Sequence, residues 1–134
     1  MIDRFSGKYH FLSNFHPQHS ITVEHIFQAM KTTDPLEQVW ILSAPTATEA
    51  KKRGRQATLR PDWEDIKFSV MEMALTLKFQ QDGLREALIA TGEDELVEGN
   101  TWGDRFWGVD GTGENHLGKL LMKIREKFDR SASV

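Results

Sequence analysis

Signals for the start of a helix recur along this chain and constrain its fold more than any other sequence feature. Thr22, Thr46 and Asp82 carry side-chain oxygens that can accept hydrogen bonds from the unpaired amides of a first helical turn. Asp34 does the same in front of Pro35, which suits the first position of a helix. These signals predict helices over about residues 23–33, 35–43, 47–54 and 84–90, the longest helix from residue 61 or 62, and a last helix from near residue 115. Gly54 and Gly92 are expected to end the third and the fifth of these helices in chain order.

Strand signals are few in comparison. Residues 5–15 are predicted to be extended up to a turn, because Tyr9 and Phe11 alternate with other residues before Ser13, Asn14 and Pro17 break the pattern. Residues 95–98 form the other candidate strand. We therefore expect a predominantly helical α+β fold with a few short strands, in one compact domain that spans residues 1–134.

Apolar residues at helical spacing predict which helix faces are buried. In the longest helix the predicted stripe consists of Ile66, Val70, Met73 and Leu77, with Met71, Ala74 and Phe79 beside it. In the last helix it consists of Leu117, Leu120, Leu121, Ile124 and Phe128, and the basic residues Lys119, Lys123, Arg125 and Lys127 are predicted to point largely outward.

Composition narrows the classes of function. The 134 residues carry a formal net charge of −3, which argues against a general binder of nucleic acid but not against an enzyme that acts on a nucleotide. The absence of Cys excludes disulfides, thiolate nucleophiles and Cys-based zinc sites. The five His lack the spacing of metal ligands, so we expect no metal. Apolar runs are too short to span a membrane and no signal-peptide core is evident, so we expect a cytoplasmic protein without membrane association.

The segment from residue 100 to 113 combines aromatic, acidic and glycine residues before the last helix. Asp104, Phe106 and Trp107 stand among glycines that let a backbone approach a ligand closely. This pattern favours a shaped pocket for a flat group, and the following helix start could meet a phosphate. The alternative is that Phe106 and Trp107 anchor the loop to the core. Trp102 of the same segment is expected to be a packing residue.

Glu24, Gln28 and Lys31 follow one another at helical spacing and share one helix face. On one interpretation this is a solvated surface, as charged helix faces usually are. On the other it is a pocket wall, with a carboxylate for proton transfer and a lysine for anion binding or covalent catalysis.

Three arginines are candidates for phosphate contacts. Arg53 and Arg55 flank Gly54, and Arg60 precedes Pro61. Each could bind a phosphate in a bidentate manner or simply lie at the surface. Trp63 follows at the start of the longest helix, where we expect a core residue with one ring face open to a ligand.

Six blocks of residues together resemble the NADAR family, also called YbiA-like. They are Phe11-Leu12-Ser13-Asn14-Phe15, then Val23-Glu24-His25-x-Phe27-Gln28-Ala29-x-Lys31, then Gly54-Arg55, then Arg60-x-x-Trp63, then Asp104-x-x-Trp107-Gly108, and finally Gly113-x-Asn115-x-Leu117-Gly118-x-x-Leu121-Met122-x-x-Arg125. The blocks span nearly the whole chain in the family's order.

The resemblance implies a compact, mainly helical fold and N-glycosidase chemistry, the hydrolysis of the bond between ribose C1 and a base nitrogen. It implies two substrate classes: ADP-ribose attached to guanine in nucleic acid, which we favour, and the phosphoribosylamino-pyrimidine intermediates of riboflavin synthesis. No cofactor is implied, and the partner is a nucleotide-like small molecule or a single modified nucleotide. The implied catalytic residues are Glu24, Lys31 and Asp104, and the implied substrate-binding residues are Asn14, Phe15, Gln28, Arg55, Trp63, Trp107, Gly113 and Asn115.

The chain departs from the family's pattern between residues 16 and 22, a segment that is usually longer. We expect a shortened hairpin there at the pocket mouth, which bears on the substrate class more than on the chemistry. A sensor that binds ADP-ribose or NAD without catalysis is the alternative of another class. Oligomeric state and the role of Lys31, covalent or only in binding, stay open.

Overall fold

The computed structural model describes residues 1–16 and 21–132, in which helices are the predominant regular structure. Its elements are a 3-10 helix (Gly7–Leu12) and the α-helices α1 (Val23–Ala29), α2 (Pro35–Leu42), α3 (Ala47–Gly54), α4 (Trp63–Phe79), α5 (Leu84–Ala90) and α6 (His116–Ala132). No helix within these ranges combines the length and the apolar character that a membrane crossing requires. The predicted predominance of helix is confirmed.

Strands are scarcer than the sequence predicts. Over the two described ranges, pairing between extended segments is limited to three isolated bridges, Ile2 with Leu96, Gly99 with Val109, and Asp110 with Thr112. The strand predicted at residues 95–98 is therefore a single bridge. Residues 7–12 form a 3-10 helix where an extended segment was predicted, because Gly7 at φ +58° turns the chain into it.

Contacts between residues divide the chain into two compact units. The first unit comprises Met1–Ser13 and the described part of Phe79–Val134, and the second comprises the described part of Asn14–Lys78. The second unit holds α1, α2, α3 and nearly all of α4. The first holds the 3-10 helix, α5 and α6.

The second unit is built on three short helices with side-chain caps. Thr22 accepts a hydrogen bond from the His25 amide, Asp34 accepts one from Leu36, and Thr46 accepts one from Glu49. Each cap satisfies an amide that the first helical turn leaves unpaired. All three predicted helix starts are confirmed, although α1 ends at Ala29, short of the predicted residue 33.

Small apolar residues let these helices come close together. The core of the second unit contains Ala29, Ile41, Ala44 and Ala50, and α1 contacts both α2 and α3. His25 links α1 to the end of α2: its Nδ1 accepts from the Thr22 amide and its Nε2 donates to the Ala44 carbonyl over 2.9 Å. Because both ring nitrogens are engaged by groups of the second unit, His25 has a structural role.

Helix α4 buries the residues predicted beside the apolar stripe more than the stripe itself. Val70, Met71, Ala74 and Leu75 are buried, whereas Met73 and Leu77 are exposed. The same face also buries Lys78, a residue that an apolar pattern cannot select. The predicted stripe is thus wrong for Met73 and Leu77, because tertiary packing chose between two adjacent apolar faces.

In the first unit, α6 packs on α5 through the predicted apolar stripe. Leu117, Leu121, Ile124 and Phe128 are buried. Arg125 is also buried, which corrects its predicted outward position. Its Nη1 donates to Thr91 Oγ1 over 2.9 Å and to the Asp94 carbonyl over 2.8 Å, and so it joins α6 to the chain that follows α5. Gly92, at φ +66°, ends α5 as predicted, whereas the residue before the helix is Gly83 and not Asp82.

Candidate active site

Glu24 and Gln28 form a buried acid–amide pair on α1. Glu24 is 6% exposed and Gln28 is 3% exposed, so the interpretation as a solvated face is excluded for both. Gln28 Nε2 donates to Glu24 Oε1 over 2.7 Å, one helical turn apart. The Glu24 amide donates to the Asn14 carbonyl over 3.2 Å. A carboxyl group shielded from water and held by an amide is suited to proton transfer.

Lys31 lies two residues beyond the end of α1. Its amide donates to the Gln28 carbonyl over 3.2 Å, and its own carbonyl accepts from the Arg60 amide over 2.7 Å. Its Nζ lies 5.9 Å from the centroid of the Phe27 ring. The backbone on both sides of this lysine is therefore held in place although it stands outside the helix.

The electrostatic surroundings of Lys31 favour a neutral amine. Burial lowers the pKa of Lys31, Glu24 opposes this shift by attraction, and the charges of Arg55 and Lys51 lower the pKa further. Lys51 lies in α3, which contacts α1, and Arg55 directly follows the end of α3. A lower pKa increases the share of the neutral amine, which is the form that can act as a nucleophile.

Asn14 extends the polar cluster around Glu24. Its Nδ2 makes only a weak contact, 3.6 Å to Met71 Sδ, and Phe15 beside it is partly buried. Among the residues that the structure describes, the buried acceptors Asn14 Oδ1 and Gln28 Oε1 have no hydrogen-bond partner. Buried acceptors in this state are costly, so they are candidates to receive hydrogen bonds from a ligand.

Trp63 is placed in the core of the second unit. Its ring meets the Phe27 ring edge to face, with the centroids 5.0 Å apart, and both side chains are buried. Trp63 therefore supports Phe27, over which the Lys31 amine lies. Its expected stacking on a base stays a prediction.

The three arginines have different surroundings. Arg53 pairs with Glu49 and lies over the Trp40 ring, and Arg60 forms two hydrogen bonds with Asp62. Arg55 is exposed next to Gly54, and its charge acts on Lys31. Arg55 is thus the arginine that the structure relates to the Glu24 and Lys31 pair.

The predicted shortened hairpin falls mainly outside the described residues. Of the segment from residue 16 to 22, residues 17–20 are not described. The hairpin stays a prediction.

In the first unit, Asn100 organises the loop that precedes α6. Its Nδ2 donates to the Asp104 carbonyl over 2.8 Å, and its Oδ1 accepts from the amides of Trp102 and Asp104. Asn100 is buried, as a residue with these partners should be. Trp102, predicted to be a packing residue, is 65% exposed, so that prediction is wrong.

Asp104 and three rings form the centre of this loop. Asp104 Oδ1 accepts from the amides of Phe106 and Trp107 over 3.1 and 3.0 Å. The Phe106 ring lies 5.0 Å from that of Trp107 and 4.6 Å from that of His116. Asp104 thus sets the backbone from which Trp107 projects, a role in addition to the catalytic one expected from the sequence.

The start of α6 is tied to the same loop. The amides of Glu114, Asn115, His116 and Leu117 donate to the carbonyls of Arg105, Gly108, Phe106 and Trp107 respectively. These four amides are therefore already engaged, which does not favour the phosphate role expected of Gly113 and Asn115. That role stays a prediction.

Asn115 has a structural role that explains its place in the sequence. It adopts φ 52°, a conformation that Asn tolerates better than most residues. Its Nδ2 donates to the Leu96 carbonyl over 2.9 Å, and its Oδ1 accepts from the Glu98 amide over 3.0 Å. The side chain therefore joins the start of α6 to residues 96–98.

The residues expected to be functional fall in both units. Asn14, Phe15, Glu24, Gln28, Lys31, Arg55 and Trp63 belong to the second, and Asp104, Trp107, Gly113 and Asn115 to the first. The pocket that the sequence predicts them to share stays a prediction. Over residues 1–16 and 21–132, no group of three or more His, Asp or Glu side chains is placed to hold a metal ion.

Sequence reasoning missed Gly54 and Asn100. Gly54 was interpreted only as the end of a helix, and it is the last residue of α3, but it also lies against the Gln28 side chain. The one sequence signal for this packing role was the presence of a glycine between Arg53 and Arg55. Asn100 carried no signal, because its partners are backbone groups of a loop whose path the sequence does not reveal.

Comparison with known proteins gives a consistent result. The family model described as NADAR domain matches residues 4–129. The N-glycosidase YbiA of Shigella boydii is 42% identical over 112 residues, which cover 80% of this chain and 69% of that protein. A riboflavin biosynthesis protein of Vibrio vulnificus is 41% identical over 135 residues, which cover 91% of this chain and 36% of that protein.

A solved structure agrees with the fold. The NMR structure of YbiA from Escherichia coli superposes with a TM-score of 0.84 at 35% sequence identity. The match covers 98% of this chain and 89% of the other.

Proposed function

Because the chain belongs to the NADAR family, whose model matches residues 4–129, we propose that it is an N-glycosidase that hydrolyses the bond between ribose C1 and a base nitrogen. The observation that carries this proposal is the buried Glu24 carboxyl group beside a lysine whose pKa is lowered by burial. The N-glycosidase name of the Shigella relative supports the same chemistry.

Breaking a ribose C–N bond makes three demands on a site. Positive charge develops at C1, electron density builds up on the departing nitrogen, and a nucleophile must reach C1. A carboxyl group can donate the proton that the departing nitrogen needs. A neutral amine can supply the nucleophile, which splits one difficult step into two easier ones.

We assign the acid to Glu24 and the nucleophile to Lys31. The lone pair of Lys31 Nζ attacks C1 as the C1–N bond breaks, and protonated Glu24 gives its proton to the base. The resulting Glu24 carboxylate then accepts one proton from the lysine nitrogen. As the bond between C1 and the ring oxygen breaks, the C1=N imine forms and the second proton of the lysine nitrogen passes to the ring oxygen, which becomes a hydroxyl group. Water then adds to the imine carbon and forms a carbinolamine. Breakdown of this carbinolamine releases the free sugar and regenerates the lysine amine, so the net reaction consumes one water.

Other side chains of the second unit are suited to binding. Asn14 Oδ1 and Gln28 Oε1 are acceptors that can receive ribose hydroxyl groups, and the exposed Arg55 can hold a phosphate. Phe15 and Trp63 would contribute apolar surface for the base. Asp104 and Trp107 of the first unit are assigned to the same reaction by the family resemblance alone.

Two substrate classes are compatible with this chemistry. ADP-ribosyl-guanine in nucleic acid, the first candidate, follows from the family resemblance. A phosphoribosylamino-pyrimidine is the second, and the riboflavin biosynthesis name of the Vibrio relative favours it. Parallel hydrolysis assays with one substrate of each class decide between them, with kcat/KM as the measure.

The test of the chemistry is Glu24→Gln, which keeps the size of the side chain and removes its ionisable group. We expect release of the free base to fall at least a hundredfold with the fold intact, as loss of a general acid typically requires. Full activity in a folded Glu24→Gln protein would show that the acid is elsewhere. If the wild type binds ADP-ribose without turnover on either substrate class, the protein is a sensor and the proposal is wrong.

A further inference from the structure

Gly54 lies where α3 meets α1, and it has no space for a side chain. A Cβ built on Gly54 would overlap Gln28 Oε1 and would lie 2.8 Å from Gln28 Cδ and 2.9 Å from Gln28 Cβ. Gly54 is within a helix and is not among the residues with positive φ, so its backbone would accept other residues. Glycine is therefore required here by the lack of room for a side chain and not by the backbone conformation.

The atom that a Cβ would displace belongs to the carboxamide that holds Glu24. Gln28 Nε2 donates to Glu24 Oε1 over 2.7 Å, and Oε1 of the same planar group lies against Gly54. A shift of Oε1 must move Nε2 as well. Because Gln28 is 3% exposed, the displaced carboxamide has little room in which to keep its hydrogen bond.

The carboxamide is also kept at a cost to stability. Within the described residues Gln28 Oε1 has no hydrogen-bond partner, and a buried acceptor in this state destabilises the folded protein. An apolar residue could fill the contact between α1 and α3 without this cost. The presence of the carboxamide is explained if its nitrogen, Nε2, is needed to hold the Glu24 carboxyl group.

We propose that Gly54 is a positioning residue, which leaves room for the Gln28 carboxamide and thereby fixes the orientation of the Glu24 carboxyl group. Its kinetic consequence rests on the proposed role of Glu24. Its structural consequence, the loss of the bond from Gln28 to Glu24 when Gly54 gains a side chain, does not.

The kinetic test is a double-mutant cycle of Gly54→Ala and Gln28→Ala. A hydrogen bond to an ionisable group contributes about 1.5 kcal/mol or more, so each single variant is expected to lose about tenfold in kcat/KM. If Gly54 acts through Gln28, the double variant loses no more than either single variant. Losses that multiply to about a hundredfold would overturn the proposal, because Gly54 would then act independently of Gln28.

The matched control is Lys52→Ala, an exposed position in the same helix. Alanine favours helix at both positions, so neither variant is expected to weaken α3 itself. If Gly54→Ala disturbs folding, Gln28→Ala in the same chain removes the carboxamide that Cβ would overlap and leaves only the 2.9 Å contact with the Cβ of residue 28, so folding is expected to be restored in large part.

A second readout needs no substrate. The side-chain amide signals of Gln28, assigned by their loss in Gln28→Ala, report on the hydrogen bond to Glu24 in a nitrogen–proton NMR spectrum. Gly54→Ala is expected to move them toward the position of a free carboxamide, and Lys52→Ala is expected to leave them unchanged. If Gly54→Ala leaves them unchanged, the inference fails, whatever the activity of the protein. If the Gln28 signals move in Gly54→Ala but the wild type is inactive on both substrate classes, the positioning role of Gly54 stands and only the proposed function is wrong.

Discussion

Asp104 and Trp107 are joined by a hydrogen bond in which the Trp107 amide donates to Asp104 Oδ1 over 3.0 Å. The Phe106 amide donates to the same oxygen. One carboxylate oxygen therefore holds the loop, and the charge of the group is not needed for this purpose, since an amide oxygen accepts the same bonds. The structural and the chemical contributions of Asp104 can thus be separated by mutation.

We predict that Asp104→Asn keeps the loop and loses activity, whereas Asp104→Ala loses both. The Asn variant should stay within about 0.5 kcal/mol of the wild type in unfolding free energy, and the Ala variant should fall by about 1–2 kcal/mol. Both should lose at least tenfold in kcat/KM if the carboxylate takes part in the reaction. Chemical unfolding and the hydrolysis assay measure the two effects. Wild-type activity in Asp104→Asn would reduce Asp104 to a loop-holding residue.

Lys31 should form a covalent adduct with substrate during turnover. Borohydride reduces the imine, so mass spectrometry should find a stable sugar adduct on the wild type and none on Lys31→Ala or Lys31→Arg. A wild-type protein that turns over substrate without any adduct would favour direct attack by water.

The pH at which this adduct forms should depend on Lys51. Burial, and after it the charges of Arg55 and Lys51, lower the pKa of Lys31 against the attraction of Glu24. Lys51→Gln removes one repulsive charge, so the pKa of Lys31 rises and the midpoint of adduct formation moves to higher pH. The exposed Lys52→Gln is the matched control and should leave the midpoint in place. A midpoint that moves to lower pH in Lys51→Gln would contradict the assignment of Lys31.

Lys78 should make stability depend on pH above neutrality. Burial lowers the pKa of Lys78 to about 7. Between this value and the ordinary lysine range, the unfolded chain binds a proton that the folded chain does not, so unfolding free energy rises with pH by about 1 kcal/mol per unit. Below pH 7 both states are protonated and the slope disappears.

The measurement is urea unfolding of wild type and Lys78→Met between about pH 7.5 and 9.5. The difference in unfolding free energy, wild type minus variant, is expected to increase with pH. The exposed Lys119→Met provides a control in which the difference stays flat. A flat difference for Lys78→Met as well would show that Lys78 keeps an ordinary pKa in the folded state.

Asn115 is expected to contribute to stability by bonding and by conformation. Asn115→Ala removes the bonds to Leu96 and Glu98 and places Ala at positive φ, so unfolding free energy should fall by about 2–4 kcal/mol. Asn115→Gly loses the same bonds without the strain and should lie about 1 kcal/mol closer to wild type. Equal losses in thermal or urea unfolding would show that the positive φ carries no strain.

The sequence alone determined the local structure of this protein. Thr22, Asp34 and Thr46 start helices because a cap bonds to amides two or three residues away, and Gly92 ends a helix through its own conformation. The order of motifs was also sufficient to identify the family, because family membership depends on residue types and spacing.

Only the tertiary structure decided what surrounds each side chain. From the sequence alone, Glu24, Gln28 and Lys31 could form either a solvated helix face or a pocket wall. The contact of α1 with α3 is part of what decides between these two interpretations. The buried face of α4 and the inward position of Arg125 were decided in the same way. The physical reason is that desolvation and close packing depend on segments distant along the chain: Gly54 lies 26 residues from Gln28, and no local rule relates them.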